Sequence, residues 1–157
     1  MRILGIDPSV RSLGWGMLEY SNQKYHYIAS DTAYTNPAEA MSIRLGKLSK
    51  KVSQIIEEYL PDIVALETSF LEHDVSAVLK LSYVRGVVMS IVGIKGLKLC
   101  EIAPLSVKKA VTGNGRSGKE QVKKMLLQII AHNGIKFSSY DESDALAIAY
   151  TASMIVA

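Results

Sequence analysis

The first strongly apolar run, Ile3-Leu4-Gly5-Ile6, stops on a carboxylate at Asp7, and a second, Ile63-Val64-Ala65-Leu66, stops the same way at Glu67. Runs this short and unbroken predict strands covered on both faces. Leu13 to Leu18 predicts another strand after a tight turn at Pro8-Ser9, and Lys24 to Thr35 a third, across the polar turn Ser21-Asn22-Gln23. With the first strand these form an antiparallel meander. Met41, Leu45, Leu48, Val52, Ile55 and Tyr59 then recur at steps of three and four, one face of a helix. Asn36-Pro37 reads as its cap and first-turn proline, and Pro61 as its stop. The pattern continues with a helix over 74–92, capped by Asp74 or Ser76, and a strand over 97–102. A short helix from Pro104, a helix over 119–132 and a last one from Asp141 to near Ile155 complete it. A right-handed crossover is expected to set the 63–67 strand parallel to the first. The expected architecture is one α/β domain over residues 1–157: a mixed five-stranded sheet, three strands antiparallel and two parallel, flanked by helices.

Composition narrows the class. The chain has 157 residues, 21% charged and 48% hydrophobic, which suits a folded domain with a real core. Cys100 is the only cysteine, which excludes a disulfide framework and a cysteine-rich zinc site. The N-terminal apolar run breaks at Asp7, unlike a signal peptide, and no unbroken apolar stretch reaches the ~18 residues of a bilayer span. A cytoplasmic protein without membrane association is the expectation. The net charge of +3 says little, but Lys95, Lys98, Lys108, Lys109, Arg116, Lys119, Lys123 and Lys124 face only Glu101 and Glu120 in the same stretch. Such a run is often only a solvated face; beside clustered acids it suits a polyanion.

The acids carry the chemistry. A carboxylate at the end of a strand buried on both faces is costly unless a cation or hydrogen bonds receive it. Asp7 alone is also explained as the first half of an Asp-Pro turn. Asp141 and Asp144 lie three apart near a helix start and so share a face. Capping explains one acid there, not both with Glu142 beside them. If these acids converge they repel and hold protons, unless a hard divalent cation such as Mg²⁺ lies between them. Enzymes of phosphodiester chemistry are built this way.

Gly113-Asn-Gly-Arg-Ser-Gly-Lys119 imitates two phosphate-binding motifs. Glu120 stands where a P-loop needs Ser or Thr, the segment follows a predicted helix, and no acid is placed for a ribose. It reads instead as a mobile basic loop whose amides, Arg116 and Lys119 meet phosphates. Phe70, three residues past Glu67, is a candidate to stack on an unpaired base. His26, His73 and His132 show no ligand spacing, and Trp15 and Cys100 read as packing residues.

Met1-Arg-Ile-Leu-Gly-Ile-Asp7-Pro8 with Gly14-x-Gly16 resembles the opening of the RuvC-type Holliday junction resolvases. The likeness continues through Glu67-Thr-Ser-Phe70, Ser76-Ala-Val-Leu-Lys-Leu, Arg85-Gly-Val and Val107-Lys108. It ends with Gly113 to Val122 and Asp141-x-x-Asp144-Ala-Leu-Ala-Ile-Ala149. The resemblance implies a ribonuclease-H-like fold and a metal-dependent endodeoxyribonuclease that cuts four-way DNA junctions by symmetric paired nicks. Asp7, Glu67, Asp141 and Asp144 match the four catalytic acids, expected to hold two Mg²⁺ ions ~4 Å apart, with Mn²⁺ able to substitute. Lys108 and Lys119 match basic residues near the cleaved strand, Lys109 and Arg116 extend that DNA-binding surface, and Phe70 matches a junction-contacting aromatic. The helix over 74–92 corresponds to a homodimer contact, and a branch-migration motor is a further expected partner.

Two departures stand out. Ser9 replaces a usual glycine, so the turn after Asp7 must avoid strongly positive φ. The approach Phe137-Ser-Ser-Tyr140 lacks the usual prolines, which bears on how Asp141 is presented. These departures, with no tail after Ala157, keep open a phage or viral branched-DNA endonuclease of wider substrate range. A ribonuclease-H-like RNA-processing nuclease is the other alternative, although the Glu67 to Phe70 and Asp141 to Leu146 blocks favour the resolvase. Sugar-kinase-like proteins share the first-strand Asp but need two lobes, and a non-catalytic binder would have no need of four filled acidic positions.

Overall fold

The computed structural model describes residues 1–68, 74–130 and 135–156; Phe70, His73 and His132 lie outside them. Five strands, β1 (Arg2–Asp7), β2 (Ser12–Ser21), β3 (Lys24–Tyr34), β4 (Ile63–Glu67) and β5 (Lys98–Ile102), form one sheet in the order β3-β2-β1-β4-β5. The pairs β1/β2 and β2/β3 are antiparallel, while β1/β4 and β4/β5 are parallel, the mixture the sequence predicts. Parallel pairing matches Ile3 with Ile63 through Ile6 with Leu66, so Asp7 and Glu67 follow side by side at the carboxyl ends of the two central strands.

Strand alternation decides which way those acids point. Leu4, Ile6, Val64 and Leu66 face α1 (Met41–Tyr59) and α2 (Val75–Ile94), meeting Leu48, Val52, Val84 and Val88 in one core layer. Ile3 and Ala65 face the other side, towards α3 (Pro104–Thr112), α4 (Lys119–Ile129) and α5 (Tyr140–Val156), and pack against Val107, Leu126 and Leu146. Asp7 and Glu67 continue this second set and therefore meet α3, α4 and α5.

Among those helices α5 is central: Ala145, Leu146, Ala147, Ile148, Ala149 and Ala152 are all buried. A helix apolar all round belongs inside. It reaches the sheet because β1 and β2 present glycines to it. A Cβ on Gly5 would lie 1.9 Å from the Ala145 carbonyl oxygen, and one on Gly14 would lie 2.2 Å from that of Asp141.

Three local expectations change. Asn36 does not cap α1: its Oδ1 accepts from the Ala38 amide at 3.0 Å and its carbonyl from Glu39 at 3.1 Å, closing a separate turn, and α1 starts at Met41. The Asn-Pro pair made a turn instead of a helix start because the same side-chain bond serves both. The loop over 113–118 is braced from within. The Thr112 hydroxyl meets the Ser117 hydroxyl at 2.7 Å, and Asn114 Oδ1 accepts from the Arg116 amide at 3.0 Å. Finally, α2 has 20 residues at mean hydropathy 1.6, enough to cross a bilayer by length and composition, contrary to the expectation from unbroken runs. Lys80 and Arg85 interrupt the apolar sequence without lowering its average below that threshold. In the fold α2 lies against the sheet through Val84, Val88, Ile91 and Val92, and leaves Leu79 and Tyr83 exposed.

Candidate active site

Asp7, Glu67 and Asp144 line one cleft of about 280 Å³, walled by Pro104, Val107 and Val122 and bordered by Lys108 and Lys119. β1 supplies the first acid and β4 the second. The third comes from the first turns of α5, brought over the sheet end by its contact with the glycines. Asp141 sits one turn earlier, with its backbone against Gly14, close enough to act on the charge of Asp7. Lys109 and Arg116 are exposed outside the cleft, on α3 and the 113–118 loop.

The electrostatics are those of acids in search of a cation. Burial, then the charges of Glu67, Asp144 and Asp141, push the Asp7 carboxyl up to about 8. Burial and Asp144 push Glu67 up to about 7, against the pull of Lys119, Lys108 and Arg85. Lys119 Nζ donates to Asp144 Oδ2 at 2.7 Å, the one direct ion pair among the cleft's described residues. Burial lowers the Lys119 ammonium, but its bond to Asp144 and the other acids outweigh that and hold it above its ordinary value. Among the described residues no three acids are closed into a metal cage as they stand. The donors are nonetheless the hard oxygens that Mg²⁺ selects, and Asp7, with Glu67 in part, holds a proton at neutral pH that a cation would displace. Chemically the set fits a divalent ion, with Lys119 yielding Asp144.

Two residues whose roles the sequence left unread hold this arrangement. Arg85, one of only two charged residues of α2, donates to the Glu67 carbonyl and to the Glu101 carboxylate, clamping the end of β4 beside β5. The next residue is tied down as well, its amide donating to the Ile102 carbonyl at 2.8 Å. Glu142 is turned away from the cleft and buried. Its carboxylate accepts from the Ser138 hydroxyl, from the Ser138 amide at 2.8 Å and from the Ser30 hydroxyl at 2.7 Å, reaching back over the helix start as a capping-box acid does. Burial raises the Glu142 carboxyl, but those bonds together hold it below the usual range. Ser139 adds a 2.7 Å bond to Thr32, so hydroxyls fix the approach to Asp141 where prolines were expected. At the other departure, Ser9 keeps φ out of the positive region, and its hydroxyl accepts from the amides of Arg11 at 3.3 Å and Ser12 at 3.4 Å. An isolated Arg in an apolar helix was the available signal for the clamp; nothing local marked Glu142.

An antiparallel meander extended by two parallel strands, with acids at the central strand ends and on the covering helix, defines a ribonuclease-H-like nuclease. The family model described as crossover junction endodeoxyribonuclease RuvC matches residues 3–152, and the chain belongs to that family. The Rickettsia prowazekii crossover junction endodeoxyribonuclease RuvC is 40% identical over 151 residues, 96% of each chain. Thermus thermophilus RuvC, solved in complex with a Holliday junction substrate, superposes with a TM-score of 0.90 at 28% identity, covering 99% of this chain and 94% of that one. The yeast mitochondrial Holliday junction resolvase Ydc2 shares the fold at a TM-score of 0.71 and 12% identity, covering 95% of this chain and 76% of that one.

Proposed function

We propose that this chain resolves four-way DNA junctions by hydrolysing one phosphodiester in each of two symmetric strands, with Asp7, Glu67, Asp141 and Asp144 as the catalytic acids. The observation that carries the reading is the juxtaposition of Asp7 and Glu67, holding protons near neutral pH, with Asp144 in a cleft edged by two lysines. The four acids would hold two Mg²⁺ ions, or Mn²⁺ in their place, which supply an activated water and neutralise charge building on the phosphate. Lys108 borders the cleft and meets the backbone of the cleaved strand. Lys119, 61% exposed, holds Asp144 in the free protein and turns outward to a phosphate when the acid is claimed. The strand clamp at Arg85 and the hydroxyl bonds to Glu142 keep the acids from spreading apart under their own repulsion. A DNA substrate suits a cytoplasmic protein folded as a single domain.

Incubating a synthetic four-way junction with the protein and Mg²⁺ tests this directly. Symmetric nicks that ligase can seal are expected, with little cutting of linear duplex of the same sequence. No cutting of the junction, or equal cutting of both substrates, overturns the assignment.

Paired cuts need paired sites, and α2 supports a two-fold dimer. Its outward face shows Leu79 at 50%, Tyr83 at 41% and Met89 at 40% exposure, beside an apolar groove lined by Leu45, Gly86 and Val87. Large apolar side chains grouped on one exposed helix mark an association surface. Light scattering is expected to give twice the chain mass, and Tyr83→Asp to give a monomer whose junction nicks are no longer paired. A wild-type monomer at micromolar concentration rules the dimer out.

A further inference from the structure

The turn after Asp7 has a second side. Pro8 and Ser9, which follow that acid, form one wall of another cleft, of about 310 Å³, on the sheet face covered by α1 and α2. Arg11, Arg44 and Lys80 line it, and among the described residues no acid does. Among the described residues none of the three is in an ion pair. Arg44 is partly buried and fixed: its Nε donates to the Thr35 hydroxyl at 2.9 Å, which in turn donates to the Val10 carbonyl at 2.6 Å. Among the described residues that leaves the terminal N–H groups of the guanidinium without a hydrogen-bond partner. Arg11 emerges from the turn that the Ser9 hydroxyl closes, so its backbone is held in place as well.

Solvated cations scattered over a flat surface need no ligand. Three gathered into a concave site, one of them anchored, repel one another and concentrate positive potential where an anion fits. We infer that this cleft binds the phosphodiester backbone of the DNA strand on the side of the cut opposite Lys108 and Lys119. The inference rests on the nuclease reading above. A strand with its scissile phosphate at Asp7 crosses the end of the sheet; Lys108 and Lys119 receive it over the α3 and α4 side, and the Pro8-Ser9 turn leads it into the second cleft. Cations on both sides of the acids thus fix the strand's path across them, which one basic edge alone does not.

The test uses the full chain carrying Asp7→Asn, so that binding is read without cutting. Arg11→Ala and Lys80→Ala are each expected to weaken four-way-junction binding roughly 3- to 10-fold at ~0.1 M salt. Each also lowers the slope of log affinity against log salt by about 0.7 to 0.9, one phosphate contact. Both positions are exposed, so melting temperatures stay near that of the parent. Arg11→Lys and Lys80→Arg restore binding, and Lys24→Ala, at the far end of the β2/β3 hairpin, changes neither affinity nor slope. An Arg11→Ala/Lys80→Ala double variant with unchanged affinity and salt slope, in a protein whose wild type cuts junctions, overturns the cleft alone. Failure of the wild type to cut any junction removes the nuclease reading and this inference with it.

Discussion

Asp7→Asn is expected to reduce junction cutting about 1000-fold or more while making the metal-free protein more heat-resistant at pH 8. Both halves follow from one position. Asp7 sits where β1, β4 and α5 converge, and a carboxylate that positions reacting groups and cations cannot be replaced by a neutral amide without losing transition-state stabilisation of this order. The stability half comes from linkage. Asp7 and Glu67 ordinarily titrate near 3.8 and 4.5, and the fold raises them to about 8 and about 7. The folded chain therefore holds protons that the unfolded chain has released, so stability is full below pH 4 for these groups and falls as pH rises towards 8. A tenfold difference in proton affinity between folded and unfolded chains is worth about 1.4 kcal/mol, so the loss is large on the scale of a domain's stability. Asparagine carries no charge to bury and escapes the Asp7 share of that loss. Melting curves in chelator from pH 5 to 9 should show wild type falling below Asp7→Asn at the alkaline end, and Mg²⁺ should recover wild type more than the variant. A wild-type melting temperature that rises over this range, or cutting by the variant within tenfold of wild type, contradicts the account.

The second large effect is at the glycines under α5. Alanine at Gly5 would drive a methyl to 1.9 Å from the carbonyl of fully buried Ala145, a backbone atom that has no rotamer to change. The helix must lift from the sheet, and a loss of about 3 kcal/mol or more is expected, the upper range for overpacking. Gly14→Ala meets Asp141 at 2.2 Å, in the first turn of α5, where the helix end gives more easily. Its stability cost should be smaller and its catalytic cost larger, about 100-fold, because the displaced residue is one of the acids. Denaturant melts paired with junction-cutting rates separate the two. Equal stability loss in both variants, or full activity in Gly14→Ala, would show that α5 is not located by these contacts.

The strand ends were legible because burial on both faces and a terminal charge are each visible in one short window. Parallel pairing then needed only the crossover rule to set Asp7 beside Glu67. Asp144 was readable from its spacing in a helix start, but its distance from the strands depended on glycines whose meaning appears only when the helix above them is known. The Arg85 clamp joins residues 18 apart in sequence and the Ser30 bond to Glu142 joins residues 112 apart, so neither leaves a periodic trace. Glu142 looked like a surplus member of an acidic cluster; its true partners are three hydroxyl-bearing or amide groups gathered by the fold. Asn36 failed for the opposite reason, since a local rule was satisfied by a turn as well as by a cap. The apolar average of α2 likewise does not tell a bilayer from a sheet and an exposed outer face.

The absence of side chains at Gly5, Gly14 and Gly16 gives the two faces of the sheet unequal futures. On the α1 and α2 side, Leu4, Ile6, Trp15 and Met17 are met by other side chains, which can change size in concert. On the α5 side, at Gly5 and Gly14, strand backbone meets helix backbone, and the distance there is also the distance between acids on strand and helix. Sequence drift and deliberate stabilisation are thus free to repack one half of this protein's interior, while the other half is held to a fixed spacing by the reaction it serves.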